Sequence, residues 1–318
     1  MKGSALDYTN IFLMLGSAVL AFFLPFWLFL FAYAVLGPLH YLTEIPWLHR
    51  KNYFTKQKGD YRFLVAGTLL LFTLSFFSFT INTLALVLLF LFFLALIMNT
   101  VGNGSQRTAL ILLMMFGLWV TVYFPVFTVI AILIPTVIHV FIFTGCFLLY
   151  GALRSKSVSG LISVGVFILA PIALALLSLH SDPAIVSESV KSVYALFELT
   201  NLTLMQLLHI SVVNAQEAIY ASLWGLAIMK FIAYAYTYHY LNWFSKTKII
   251  AWHVLPKEDL AMVILLWLFA VGIYAYDYRI CALVLYFLSL LHVVLEFPLN
   301  HQTFIGIYGE LKARVVKS

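Results

Sequence analysis

Charge is what this chain has least of. Asp, Glu, Lys and Arg make up 9% of its 318 residues, where a soluble domain carries roughly 25%. So few charges exclude a soluble enzyme with a polar surface. Cysteine is also scarce: Cys146 and Cys281, both in apolar runs, make no disulfide scaffold and leave the redox compartment open. With 16 Gly and 9 Pro, the chain is neither collagen-like nor a low-complexity linker. The formal net charge of +6 does not imply nucleic acid as a partner. In so apolar a chain it raises a different question, namely where the cations fall relative to a membrane.

What is abundant is apolar surface. The chain is 64% hydrophobic and 17% aromatic, with a mean hydropathy of +1.04. A membrane-spanning helix needs about 20 apolar residues. Nine such stretches are read at about 11–38, 62–79, 82–99, 108–123, 126–151, 158–179, 210–243, 259–277 and 280–301. The expected fold is all-α: one integral-membrane domain, residues 1–318, with about nine transmembrane helices in a range of eight to ten. Pro25 makes the first stretch either one kinked helix or a helix plus a re-entrant piece. That stretch is too long for a signal-peptide core and lacks a small-residue cleavage pattern, so it is expected to stay in the mature protein.

Basic residues are asymmetric across the loops. With the N-terminus outside, inner loops hold Arg50, Lys51, Lys56, Lys58, Arg62, Arg107, Arg154, Lys156, Lys246, Lys248 and Lys257, and the tail adds Lys312, Arg314 and Lys317. That is fourteen of the 18 basic residues. The positive-inside rule then predicts an outer N-terminus, a cytoplasmic C-terminus and an odd number of spans, in a bacterial inner membrane. The run from Arg50 to Arg62 suits contact with anionic membrane lipids.

Within the apolar stretches, ionisable residues form a pattern. Residues 39–49 read LHYLTEIPWLH and residues 291–301 read LHVVLEFPLNH. Each contains His, Glu four residues on, Pro at six and His at nine: His40, Glu44, Pro46, His49 and His292, Glu296, Pro298, His301. On a helix, residues i and i+4 share a face, so each copy presents an imidazole and a carboxylate to one side. Imidazole and carboxylate together suit iron, zinc or manganese. A single buried His–Glu pair can simply satisfy itself. Two matching pairs, at a depth where ionisable groups are costly, point to a metal or proton-handling site.

Depth adds two more histidines. At 1.5 Å per residue, His239 lies about 10 Å from Lys246, His292 about 14 Å from His301, and His139 about 22 Å from Arg154. His40, His239 and His292 thus share an inner-half layer, with His139 just above it. The expected metal ligands are His40, His139, His239, His292, Glu44 and Glu296, with Glu44 and Glu296 as catalytic carboxylates. One or two iron ions would be held, with zinc or manganese as other options. His49, His253 and His301 fall near the inner surface, where headgroup contact is the expected role and metal ligation the alternative. Lys230, in mid-span, is read as a packed or snorkelling lysine rather than a Schiff-base residue. Tyr234, Tyr236, Tyr238 and Tyr240 either form an interfacial belt or line a substrate site.

The segment Gly37-Pro38-Leu39-His40-Tyr41-Leu42-Thr43-Glu44 resembles the Gly-x-Pro-His-Gly-Ala-x-Asp motif of the Brp/Blh family. Those polytopic membrane proteins cleave β-carotene to retinal and are regarded as histidine-ligated iron oxygenases. His40 matches the motif His and Glu44 its Asp; the Pro is displaced by one, and Tyr41 replaces Gly. Tyr238-His239-Tyr240-Leu241-Asn242-Trp243 resembles the family's Trp-His-Ser-x-x-His segment, with Trp243 at the second His. The resemblance implies a membrane dioxygenase acting on a carotenoid or other isoprenoid through iron. The His-x-x-His-His boxes of membrane desaturases are absent.

These residues suit two functions. The first is a membrane-embedded non-haem iron oxygenase or oxidoreductase acting on a lipid or isoprenoid, a hydrophobic small molecule. The second is a proton- or ion-coupled transporter in which buried His/Glu pairs relay protons. Haem held by paired His ranks below both, because it leaves the carboxylates unexplained.

Overall fold

The structure, a computed structural model, describes residues 2–51, 57, 59–77, 80–121, 123–180, 186–246 and 256–315. It is a helical bundle with no strand among the described residues. The helices are α1 (Lys2–Phe23), α2 (Pro25–Arg50), α3 (Tyr61–Leu74), α4 (Ile81–Thr100), α5 (Gly104–Thr121), α6 (Pro125–Ser155) and α7 (Val158–Ser178). Three short helices come next, α8 (Glu188–Tyr194), α9 (Glu198–Leu207) and α10 (Ala215–Tyr220). The chain ends with α11 (Leu223–Ser245), α12 (Lys257–Tyr276) and α13 (Tyr278–Val315). Seven of these are long and apolar enough to cross a bilayer: α1, α2, α4, α6, α7, α12 and α13. Many of their large side chains, such as Phe12, Ile142 and Leu265, face outward, as lipid contact requires.

The first expected span is two helices. At Leu24 the backbone leaves helical geometry (φ −133°, ψ 49°), and Pro25 opens α2 at a position where its missing N–H costs nothing. The contacts show a reversal rather than a kink. Near the start of α1, Asp7 accepts hydrogen bonds from Ser157 and Ser159, and Asn10 Oδ1 accepts one from Ser245 at the end of α11. Just after the break, Phe26 packs on Tyr194 and Tyr220 at the other end of the bundle. Thr43, late in α2, is back at the first end, accepting a hydrogen bond from Trp243 Nε1–H. Arg314, late in α13, donates to the Leu153 carbonyl at that same end. The two termini therefore share one end of the bundle. The expected topology, an outer N-terminus, an inner C-terminus and an odd number of spans, would instead put them at opposite ends. Hydropathy missed the turn because no polar residue marks it.

The seventh expected span, 210–243, is also shortened. Its helix begins at Leu223, capped by Ser222, whose hydroxyl accepts from the Gly225 N–H. Gly225 is required there, since a Cβ would run into the Ala218 carbonyl. Helices α8 to α10 lie across this end of the bundle, where Arg279 donates to the Ser192 carbonyl.

Two helices carry π turns. In α2 the π segment is Ala32–Leu36, and the Val35 carbonyl is taken by Trp267 Nε1–H at 2.8 Å. In α6 it is Ile134–Phe143, where Pro135 supplies no N–H and Thr136 departs from helical angles (φ −116°, ψ −109°). Wide turns of this kind rotate the helix downstream of them and concentrate at functional sites. The first ends four residues before His40, and the second contains His139.

Candidate metal centre

Four helices bring one histidine each to the middle of the bundle: His40 from α2, His139 from α6, His239 from α11 and His292 from α13. Their ligand atoms all lie within 4.8 Å of one another, and all four residues are buried. The rings form a closed circuit with centroid separations of 4.7 Å (His40–His239), 4.8 Å (His239–His139), 5.1 Å (His139–His292) and 5.5 Å (His292–His40). All four helices run in the same direction, toward the end that carries Arg50, Lys156, Lys246 and Arg314. The four imidazoles lie close together, where the depth arithmetic expects His40, His239 and His292 in one layer and His139 just above it.

Both glutamates of the repeated motif touch this layer. Glu44 Oε2 is 3.0 Å from His40 Nε2, and Glu296 Oε2 is 3.4 Å from His139 Nδ1. Glu296 thus pairs across the bundle with His139 rather than with His292 on its own helix. His239 is held from behind, with Nδ1 2.8 Å from Thr144 Oγ1. In the tautomer where Nδ1–H donates to Thr144, the Nε2 lone pair faces inward, 3.1 Å from His40 Nε2. Trp243 closes one side, its ring 5.4 Å from His40.

The donors are under-satisfied. His40 Nδ1, both ring nitrogens of His139, Glu44 Oε2 and Glu296 Oε2 are buried and make no well-formed hydrogen bond. Each buried polar group left unmatched costs about 1–3 kcal/mol, more when charged. A cation among them reverses that cost, because lone pairs that lack donors are what a metal ion needs. Two donors about 2 Å from one ion sit about 3–4 Å apart, and the 3.0 and 3.1 Å separations already match. Neutral imidazole with carboxylate fits iron, zinc or manganese. The residues present therefore fit a metal ion.

Above the ring layer, away from the basic end, is a cavity of about 370 Å3. His139, His239 and His292 form its floor; Tyr236, Tyr240 and Tyr286 line its wall. Among the described residues, no Asp, Glu, Lys or Arg lines it. The tyrosine run of α11 divides by helical face: Tyr236 and Tyr240 face the cavity, whereas Tyr234 and Tyr238 pack on Phe167.

The other histidines stand apart. His301 is not at the headgroups: it is buried, with Nε2 3.0 Å from the Phe92 carbonyl. His49 is exposed beside Tyr61, and His253 lies outside the described residues. Lys230 is buried with its ammonium 3.8 Å from the Phe22 ring centroid, a packed cation–π contact. Sequence reasoning missed Thr144 and Lys246. Lys246 caps α11 just outside the span; burial lowers its pKa to about 8, while Glu296 and Glu44 pull it back up. A lysine seven residues after His239, on the same helical face, was the available signal for it.

Against known proteins, the chain matches no family model, no curated protein and no solved structure.

Proposed function

We propose that this protein is a membrane-embedded metalloenzyme, a non-haem iron oxygenase or oxidoreductase acting on a lipid or isoprenoid substrate such as a carotenoid. The observation that carries the reading is the convergence of four buried imidazoles and two carboxylates, with His139, His239 and His292 also forming the floor of an apolar cavity. His40, His139, His239 and His292 hold the ion, with Glu44 and Glu296 as further ligands or as bases beside it. Bound there, iron supplies Lewis acidity and one-electron chemistry. The chain supplies the rest. Thr144 orients His239, tyrosine and aliphatic walls position an apolar reactant, and burial excludes bulk water.

The Brp/Blh resemblance supports this reading at His40, Glu44 and His239. Where that family has its second His, this chain has Trp243, which packs beside His40. Metal analysis of the detergent-purified full chain tests the proposal. Stoichiometric iron with no haem absorption is expected. A metal-free protein that moves protons or ions in sealed vesicles would overturn it in favour of a carrier.

A further inference from the structure

The apolar cavity is closed at top and bottom and open at its side. Its floor is the imidazole layer, and its roof is aromatic. Phe29 packs edge-to-face with Tyr194 and Phe197, at centroid separations of 5.5 and 4.9 Å, and the Tyr194 hydroxyl donates to Asn201 Oδ1 at 2.6 Å. The end of α8 and the turn into α9 thus cover the cavity where the bundle meets its polar boundary. Below that roof the wall changes. Ile81 at the start of α4, Leu283 on α13, Leu196 just before α9 and Leu199 within it all line the cavity, yet each is between 44% and 51% exposed. Residues that line a cavity and are also exposed mark its mouth. The elements around this mouth are held in place: Thr128 on α6 donates to Asn82 Oδ1 beside Ile81, and Tyr278 on α13 packs on Phe197. Leu283 lies nine residues before His292, which puts the mouth about 14 Å from the imidazoles along α13. Both α4 and α13 are long and apolar enough to cross a bilayer, so their exposed flanks at this height face acyl chains. A charged solute finds no partner at so apolar a rim, whereas a hydrocarbon chain moves from lipid into the cavity without entering water.

We infer that this mouth is a lipid-side entry: an apolar chain dissolved in the leaflet at the α8–α10 end passes between α4, α9 and α13 and lies in the cavity with its tip at His139, His239 and His292. The occupant is a lipid-phase molecule with a chain of at least about 14 Å. Any polar group it carries stays at the mouth, one turn of α13 below Arg279. The inference rests on the proposed metalloenzyme only for the chemistry at the floor; the entry itself needs no metal.

Thiol labelling of the full chain in proteoliposomes tests the entry. Ile232 lines the cavity from α11 and is 1% exposed, so a thiol placed there by Ile232→Cys is reached only through the cavity. Two reagents of one chemistry are compared: dodecyl methanethiosulfonate, which dissolves in the bilayer, and its trimethylammonioethyl analogue, which stays in water. The label is read at position 232 by peptide mass mapping, so Cys146 and Cys281 remain in place. The alkyl reagent should label at least about tenfold faster, because a fixed charge is costly to bring into an apolar passage. Leu283→Trp, which fills the mouth, should slow that labelling about tenfold by restricting access. Leu112→Trp, an exposed site on α5 that does not line the cavity, should leave it unchanged. Equal rates for the two reagents would mean that the cavity opens to water, and no label from either would mean that it is closed. Each result overturns the entry, as does a rate that Leu283→Trp leaves unaltered. If Ile232→Cys does not fold, Ala131→Cys, 1% exposed on the α6 wall, takes its place. Metal content of the same preparations separates the two proposals. Lipid-side labelling of a metal-free chain keeps the entry and removes the metalloenzyme; bound metal with an unlabelled cavity does the reverse.

Discussion

Glu296→Gln removes one negative charge and keeps the side chain's shape, so it isolates what the carboxylate does at His139. Its metal affinity should fall about 10–100-fold, the usual cost of losing a ligand or the group that orients one. Glu310→Gln, the same change near the end of α13, should leave affinity unchanged. Near-zero metal in the wild type and both variants would reject a metal centre; tight, equal binding would keep the centre and remove Glu296 from it. Thr144→Val should weaken metal binding about tenfold by freeing the His239 ring, with the folded fraction unchanged by size-exclusion chromatography. Unaltered affinity would show that packing alone fixes that ring. The residues differ in how legible they were. His40, Glu44, His292 and Glu296 could be read because an i, i+4 pair is a local property of a helix. His139 and His239 came from depth, since rise per residue is fixed. Thr144 gave no such sign, because its role depends on how neighbouring helices are rotated, which no single segment encodes.

At the scale of elements, the α6 π turn carries a specific burden. Pro135 withholds a backbone donor, the turn widens, and His139 reaches the ring circuit from the rotated helix. Pro135→Ala restores the donor and allows a regular helix. The expected result is a melting temperature that holds or rises while metal affinity falls about tenfold as His139 turns away. Unchanged affinity would mean that the contacts of His139 rather than the turn position it. The hairpin at Leu24 shows why one boundary resisted sequence reading. Apolar residues flank it on both sides, and Pro25 serves equally as a kink or as the first residue of a new helix. Only the contacts of Asp7, Asn10 and Phe26 separate those cases.

For the molecule as a whole, the shared end of the termini strengthens the charge asymmetry across the loops. Lys2 opens α1 at the basic end; among the described residues, Lys191 and Arg279 lie at the other end and Lys230 inside the bundle. The positive-inside rule then predicts that both termini face the cytoplasm. Alkaline phosphatase fused at either terminus should be inactive and a fluorescent protein at either should glow; an active phosphatase at one terminus alone would contradict the bundle. The wide spacing of the four histidines along the chain also bears on how the protein is made. His40 is inserted early, but its last partner, His292, emerges only with the final helix. A chain that lacks the last helix lacks part of the set, so a metal bound there would load only after His292 is in place. Such an ion would act as a latch: a ligand at a hundred times its dissociation constant adds about 2.7 kcal/mol to the folded state, drawn from helices that synthesis delivers far apart in time.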